Sequence, residues 1–159
     1  MNAIAVLTVL SAAFVAGTPI PLKHAGGSGG GNVSPPLSWS QPAAGTQSLA
    51  VICDDPDAPA GVWTHWVLFN LPPDTLTLPA GLPPRPKLAN GAIQGRNDYD
   101  TAGYAGPWPP PGAPHRYFFT VYAVDTVLGL SSFATRRELL AAMRGHLLAK
   151  GQSYGVFGR

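Results

Sequence analysis

Charged side chains are scarce in this chain of 159 residues: Asp, Glu, Lys and Arg together make up 11%, against roughly 25% in an average soluble domain. The formal net charge is only +2 and the cations are scattered, which argues against a nucleic-acid-binding surface. The single cysteine, Cys53, excludes an internal disulfide and a zinc site built from cysteines. It follows an apolar run and is predicted to be an inert buried thiol. No apolar run reaches the roughly 18 residues of a transmembrane helix.

Glycine and proline are abundant instead, with 19 and 18 residues respectively, and 45% of the chain is apolar. This composition predicts one loop-rich domain over residues 1–159, with enough apolar surface for a buried core. Residues 26–31, which read Gly-Gly-Ser-Gly-Gly-Gly, are predicted to form a flexible loop inside that domain. They match the G-x-S-x-G pattern of a catalytic serine, but no helical pattern follows them, so we assign them no catalysis.

The apolar beginning of the chain allows two interpretations. Residues 3–17 resemble a signal peptide, yet no Lys or Arg precedes the apolar stretch. The alternative is a buried strand over residues 4–10, with Val, Leu and Ile on both faces. The missing positive charge favours the strand, and with it a cytoplasmic protein over a secreted or periplasmic one.

Strand patterns dominate the rest of the sequence. Residues 48–54, 63–71 and 115–125 are rich in apolar, aromatic and β-branched side chains and are predicted to be strands. Thr135 and Glu138 fit a capping box, and the following apolar spacing predicts a helix that contains His146 and ends at Gly151. Residues 152–157 are predicted to form a short strand, and the proline-rich segment 72–114 an irregular region. The predicted class is therefore mainly β (β-dominated α+β).

Two histidines, a tyrosine and an aspartate lie near the ends of the predicted strands. Every second residue of a strand shares a face. In the predicted strand 63–71, the residues on one face are Trp63, His65, Val67 and Phe69. In the predicted strand 115–125, they are His115, Tyr117, Phe119 and Val121. Asp55 follows the predicted strand 48–54. If the strand ends converge, Asp55, both histidines and Tyr117 surround one pocket.

Each part of this hypothesis has a structural alternative. The Asp- and Pro-rich residues 54–59 are also typical of a turn. His65, beside two tryptophans, is equally compatible with a core histidine whose ring is hydrogen-bonded. His115 could simply open a strand. We assign His146 a structural role at the end of the predicted helix, and His24 lies in a polar loop and indicates no function.

Motifs along nearly the whole chain resemble those of the phosphatidylethanolamine-binding protein family, in its prokaryotic Raf-kinase-inhibitor-like branch. The segments that carry the resemblance, in order, are residues 34–39 (SPPLSW), 55–59 (DPDAP), Trp63, 65–66 (HW), 97–99 (NDY), 103–104 (GY), 106–107 (GP), 110–112 (PPG), 115–117 (HRY) and 145–146 (GH). Two features depart from the family pattern: Trp108, where prokaryotic relatives often carry Cys, and the unusually glycine-rich residues 26–31.

The resemblance implies a central antiparallel β-sheet core, a smaller second sheet and, late in this chain, a C-terminal helix. It also implies a pocket for small anions such as phosphate or a phosphoryl head group, including lipid head groups at a membrane surface, with no cofactor and no metal. The implied ligand-binding residues are Asp55, Pro59, Trp63, His65, Gly106, Pro107, His115 and Tyr117. Two imidazoles, a phenol and the backbone N–H near Gly106 can all donate to an oxyanion. A carboxylate beside them predicts tighter anion binding at mildly acidic pH.

Two other functions remain open at this level. Some members of the family inhibit kinases or serine proteases, and the proline-rich residues 107–114 offer a surface for such a partner. A metal-dependent hydrolase using Asp55 and the histidines is less favoured, because no metal-binding spacing is present. Prokaryotic relatives are often homodimers, so we expect a homodimer with no catalytic activity.

Overall fold

The computed structural model describes residues 3–159 and contains nine strands and one α-helix within that range. The strands are β1 (Ala5–Val6), β2 (Val9–Leu10), β3 (Leu37–Trp39), β4 (Ser48–Asp55), β5 (Trp63–Leu71), β6 (Thr77–Leu78), β7 (Ile93–Gln94), β8 (His115–Val124) and β9 (Leu147–Phe157). The helix α1 covers Arg136–Met143, and a 3-10 helix covers Leu22–His24.

The strands form two sheets. The larger sheet has the order β1-β9-β8-β4-β5-β7, and the smaller sheet has the order β2-β3-β6. All pairs in the larger sheet are antiparallel except β1 with β9, which are parallel, so this sheet is mixed. The two sheets and the helix confirm the mainly β class.

Apolar side chains cover both faces of the larger sheet, because its central strands alternate between two cores. One core lies between the sheets and includes Leu49, Val51 and Phe119. The other lies against α1 and includes Ile52 and Leu139. The continuous apolar runs of β4 and β8 follow from this double burial.

The predicted buried strand over residues 4–10 is wrong in two respects. The segment is split into β1 and β2, which belong to different sheets. Its burial alternates: Leu7 and Val9 are buried in the core between the sheets, whereas Ile4, Val6 and Leu10 are largely exposed. The segment therefore covers an edge of the core with one face only.

The helix is confirmed at its start but is shorter than predicted. Thr135 and Glu138 form the capping box in both directions. The helix stops at Met143 because Gly145 takes a left-handed backbone conformation with φ of 82°, which turns the chain back. The leucines expected to continue the helix, Leu147 and Leu148, instead begin β9, which pairs with β8 along nearly its whole length.

Two residues assigned to this helix consequently lie elsewhere. His146 is in the turn before β9, and its Nδ1 lies 2.7 Å from Oδ1 of Asp125. Gly151 lies inside β9, where a Cβ would come within 1.9 Å of the Leu7 carbonyl oxygen. Close packing against the first strands, rather than helix termination, is the reason for a glycine at this position.

The proline-rich region 72–114 is ordered by buried side-chain amides and contains β6 and β7. Gln94 accepts a hydrogen bond from the Trp66 indole at 2.9 Å and donates to the carbonyls of Pro83 and Arg85. These bonds fasten the loop to β5. Within residues 3–159, no helix is long and apolar enough to span a membrane.

Candidate functional site

A cavity of about 280 Å³ opens where the end of β4 meets the beginnings of β5 and β8. Six of the eight residues implied by the resemblance line it: Asp55, Pro59, Trp63, His65, His115 and Tyr117. The structure thus brings together all four groups that the strand pattern placed around one pocket. Their distances and hydrogen bonds decide what the cavity can bind.

His65 reaches this cavity because of a β-bulge. Cys53 pairs with Trp66 and Asp54 pairs with Thr64, so His65 is one extra residue on β5. The expectation that His65 shares a face with Val67 and Phe69 is therefore wrong: those two side chains pack in the core against α1. Without the extra residue, strict alternation would put His65 on that side as well.

Among the described residues, His115 and Asp55 form the most buried contact between a basic side chain and a carboxylate. Nδ1 of His115 lies 2.7 Å from Oδ2 of Asp55, and the side chains are 14% and 5% exposed. Because a carboxylate only accepts hydrogen bonds, Nδ1 carries the proton. The other carboxylate oxygen, Oδ1, accepts the backbone N–H of Asp57 at 2.8 Å. Asp55 thus fixes the ring of His115 and the turn that follows β4.

His65 is held in the same manner by a backbone carbonyl. Its Nδ1 lies 2.6 Å from the carbonyl oxygen of Ala105, so Nδ1 again carries the proton. Burial lowers the pKa of His65 below its usual value, although the Ala105 hydrogen bond and the charges of Asp55 and Asp98 partly oppose this. His65 is therefore neutral at pH 7. Its Nε2 is then a hydrogen-bond acceptor, and it becomes a donor only when the ring is protonated.

Tyr117 closes the inner side of the cavity. Its ring meets that of His65 edge to face, with centroids 5.2 Å apart. Burial, followed by the neighbouring charge of Asp55, raises the pKa of Tyr117 far above its usual value. The phenol therefore keeps its proton and remains a hydrogen-bond donor at any physiological pH.

Gly106 and Pro107 are placed differently from the other implied residues and do not line the cavity. The N–H of Gly106 donates to Oδ1 of Asn32 at 2.7 Å, so this N–H is not available to a ligand. A Cβ at Gly106 would lie 2.4 Å from the His24 carbonyl oxygen. The carbonyl of Pro107 accepts the N–H of Gly26 at 2.8 Å. Both residues pack the glycine-rich segment against the loop that leads to Trp108.

Six further residues line the cavity: Ala58, Ala60, Tyr99, Trp108, Pro109 and Pro110. The last three belong to residues 107–114, which were predicted to be a surface for a protein partner, and the sequence predicted no ligand-binding role for the first three. Tyr99 packs edge to face against Trp63, with centroids 5.4 Å apart. Its position depends on Asn97, whose Oδ1 accepts the N–H groups of Tyr99 and Thr101. The N-D-Y-D-T stretch is a recognisable turn signal and could have indicated that Tyr99 is fixed there.

His24 lies outside the cavity. His24, expected in a polar loop, is buried, and its Nδ1 lies 2.7 Å from the Val33 carbonyl oxygen. It is a structural residue beneath the glycine-rich segment. Among residues 3–159, no three Cys, His, Asp or Glu side chains form a group that could hold a metal ion.

Comparison with known proteins supports the family resemblance seen in the sequence. A family model described as phosphatidylethanolamine-binding protein matches residues 10–158. The chain belongs to the phosphatidylethanolamine-binding protein family. A relative from Methanothermobacter thermautotrophicus, named UPF0098 protein, is 52% identical over 130 residues, which are 82% of this chain and 85% of the relative.

Solved structures of the phosphatidylethanolamine-binding protein family share this fold. The crystal structure of Escherichia coli YbcL superposes with a TM-score of 0.89 at 35% identity, covering 96% of this chain and 98% of YbcL. A phosphatidylethanolamine-binding protein homologue from Chlamydia trachomatis superposes with a TM-score of 0.86 at 37% identity, covering 97% and 98% of the two chains. The names of these three proteins describe no catalytic activity.

Proposed function

We propose that this protein binds small anions or phosphoryl head groups in the cavity between β4, β5 and β8, and that it does so without chemically changing them. One observation carries the proposal. Two imidazoles line the same cavity, and each has its Nδ1 occupied by a protein oxygen, at 2.6 Å for His65 and 2.7 Å for His115. The ring nitrogen left for a ligand is Nε2 in both cases.

Protonation decides what these two nitrogens can bind. A protonated imidazole donates a charge-assisted hydrogen bond from Nε2, which is the strong kind of contact to an oxyanion. A neutral His65 accepts instead, and then suits the hydroxyl of a protonated phosphoryl group or the ammonium of phosphoethanolamine. The Tyr117 phenol stays neutral over the same pH range and lies beside Asp55. The cavity therefore fits a ligand that has both anionic oxygens to accept hydrogen bonds and an O–H or N–H group to donate one.

Asp55 does not prevent anion binding, because both of its oxygens accept hydrogen bonds from the protein. Oδ2 accepts from His115 and Oδ1 accepts from the Asp57 N–H. Such bonds stabilise the negative charge within the protein. The carboxylate then acts on a ligand through His115, whose Nε2 it orients.

The lining also supports binding rather than catalysis. Among the described residues that line the cavity, none is Ser, Thr, Cys or Lys. The carboxylate that could act as a nucleophile, Asp55, has both oxygens engaged by N–H groups of the protein. Proline and aromatic residues make up much of the wall instead, which favours a stiff and preformed container.

Calorimetric titration tests the proposal with two probes, inorganic phosphate and phosphoethanolamine, at pH 6. We expect saturable binding by the wild type and a loss of about tenfold or more in affinity for H65Q and for H115Q. H146Q is the matched control, because His146 also pairs with an aspartate but lies outside the cavity. Binding by neither probe, or equal binding by all four proteins, would contradict the proposal. A preference for one probe distinguishes a head group from free phosphate.

A further inference from the structure

Trp108 is held in the cavity wall by the glycine-rich segment. Gly27 lies directly against its indole ring: a Cβ at this position would be 2.1 Å from Cδ2 and 2.3 Å from Cε2 of Trp108. Gly27 also has a φ of 68°, which glycine adopts without strain. No other residue type could occupy position 27 while the ring stays where it is.

The glycine-rich segment is packed rather than loose, contrary to the flexible loop expected from its composition. A Cβ at Gly30 would lie 2.1 Å from the Ala25 carbonyl oxygen, and one at Gly31 would lie 2.5 Å from that of Lys23. Backbone hydrogen bonds join Asn32 to Ala25 and Gly31 to Leu22. The segment forms a compact turn whose surface supports the ring of Trp108.

Arg159 holds the same ring from the other end of the chain. Its guanidinium lies over the indole, with Cζ 4.6 Å from the ring centroid. Its Nε donates to the Pro109 carbonyl at 2.6 Å, and its own carbonyl accepts the N–H of Gly112 at 3.2 Å. Arg159 thus fixes both Trp108 and the proline-rich loop that carries it.

We propose that Gly27 and Arg159 are positioning residues that hold Trp108 as a rigid wall, and that this wall restricts the cavity to phosphoryl compounds without a bulky substituent. The inference rests on the proposed function and adds ligand selection to it. It joins the two departures from the family pattern, Trp108 and the glycine-rich segment, into one feature.

Size supports this selectivity. The cavity of about 280 Å³ lies just below the usual range of ligand pockets, which is roughly 300–1,000 Å³. Inorganic phosphate or phosphoethanolamine fits such a space, whereas a large substituent directed toward Trp108 would have to displace the indole. Because three contacts from Arg159 oppose that displacement, the wall yields only at a cost in affinity.

The test compares the affinity for cyclohexyl phosphate with that for inorganic phosphate. In the wild type we expect inorganic phosphate to bind more tightly. In W108A the affinity for cyclohexyl phosphate, relative to that for inorganic phosphate, should rise at least about tenfold. R159A should move it in the same direction by a smaller factor, and R159K, which keeps a cation for the ring, should recover part of the difference. R137A is the matched control, because Arg137 is exposed on α1 and does not line the cavity.

A second measurement follows the ring directly. The indole N–H resonance of Trp108, assigned with W108F, should shift in G27A. It should not shift in G91A, because Gly91 has a similar positive φ of 89° and nothing within 4 Å of an added Cβ. An unshifted resonance in G27A would refute the packing of Gly27 on Trp108.

The outcomes separate the two proposals. If the wild type binds inorganic phosphate but W108A and R159A keep its ligand ratio, the wall is refuted and the proposed function stands. If the wild type binds neither inorganic phosphate nor phosphoethanolamine, the proposed function fails, and the selection inferred from it fails too.

Discussion

His115 and Asp55 are joined at 2.7 Å in a nearly buried pair, while His146 and Asp125 are joined at the same distance on the surface. The side chains of the second pair are 46% and 42% exposed, against 14% and 5% for the first. The chain therefore contains a matched comparison of one interaction in two environments. We expect the buried pair to contribute more to stability than the exposed pair, because water and ions screen the exposed pair more strongly.

The first prediction concerns stability. D55N should lower the free energy of unfolding by about 2 kcal/mol, because a buried charge-assisted hydrogen bond is weakened. D125N should cost less than about 1 kcal/mol, since its pair is exposed. Asparagine keeps an oxygen for the Asp57 N–H, so the turn after β4 is preserved. Urea unfolding at pH 6 measures both values, and equal losses would argue against the role of burial.

The second prediction concerns pH. Burial lowers the pKa of His65, so the ring gains its proton only below its usual range. Asp55 and Asp98 near His65 favour the proton, and His115 opposes it. Sulfate keeps its charge between pH 8 and pH 5, so only the protein titrates. We expect sulfate affinity to rise about tenfold as the pH falls across this range, because binding takes up a proton.

Calorimetry with sulfate at pH 5, 6, 7 and 8 gives this slope. H65Q should flatten it, because the proton taken up at Nε2 is lost, and H146Q should leave it unchanged. A wild-type affinity independent of pH would contradict proton uptake by His65 on anion binding.

The third prediction concerns the close approach of β9 to the first strands. G151A should destabilise the fold by about 2 kcal/mol or more, because the new Cβ would lie 1.9 Å from the Leu7 carbonyl oxygen. G129A is the control: an added Cβ there meets nothing within 4 Å, and we expect a change within about 0.5 kcal/mol. Thermal unfolding of the two variants provides the comparison. A well-tolerated G151A would show that the amino-terminal strands are free to move away.

The fourth prediction concerns Cys53. The thiol is fully buried, and burial, together with the charges of Asp54 and Asp55, raises its pKa well above its usual value. Ellman's reagent at pH 8 should leave the native protein unmodified over an hour and react fully in guanidinium chloride. Rapid reaction of the native protein would reveal an opening between β4 and the core.

Local signals predicted the long strands β4, β5 and β8, part of β9 and the start of the helix. The apolar run of β4, the aromatic run of β5 and the capping box at Thr135 each depend on neighbours in the sequence. The helix end was mispredicted because Leu147 and Leu148 satisfy helical spacing as well as strand burial. Pairing with β8 settled their conformation, and that partner lies outside any local window.

The strand pattern and the family resemblance also predicted six of the residues that line the cavity, because histidine, tyrosine and aspartate beside strand ends carry their chemistry in any fold. The amino-acid sequence thus determined the mainly β class, the family and the candidate donors. Only the tertiary structure decided which way they face. One additional residue in the pairing of β5 with β4 turns His65 away from the core against α1 and into the cavity. A glycine turn that is far from β8 in the sequence holds Trp108 in the cavity wall. Both depend on contacts between segments distant in the chain, which a strand's period of two cannot encode.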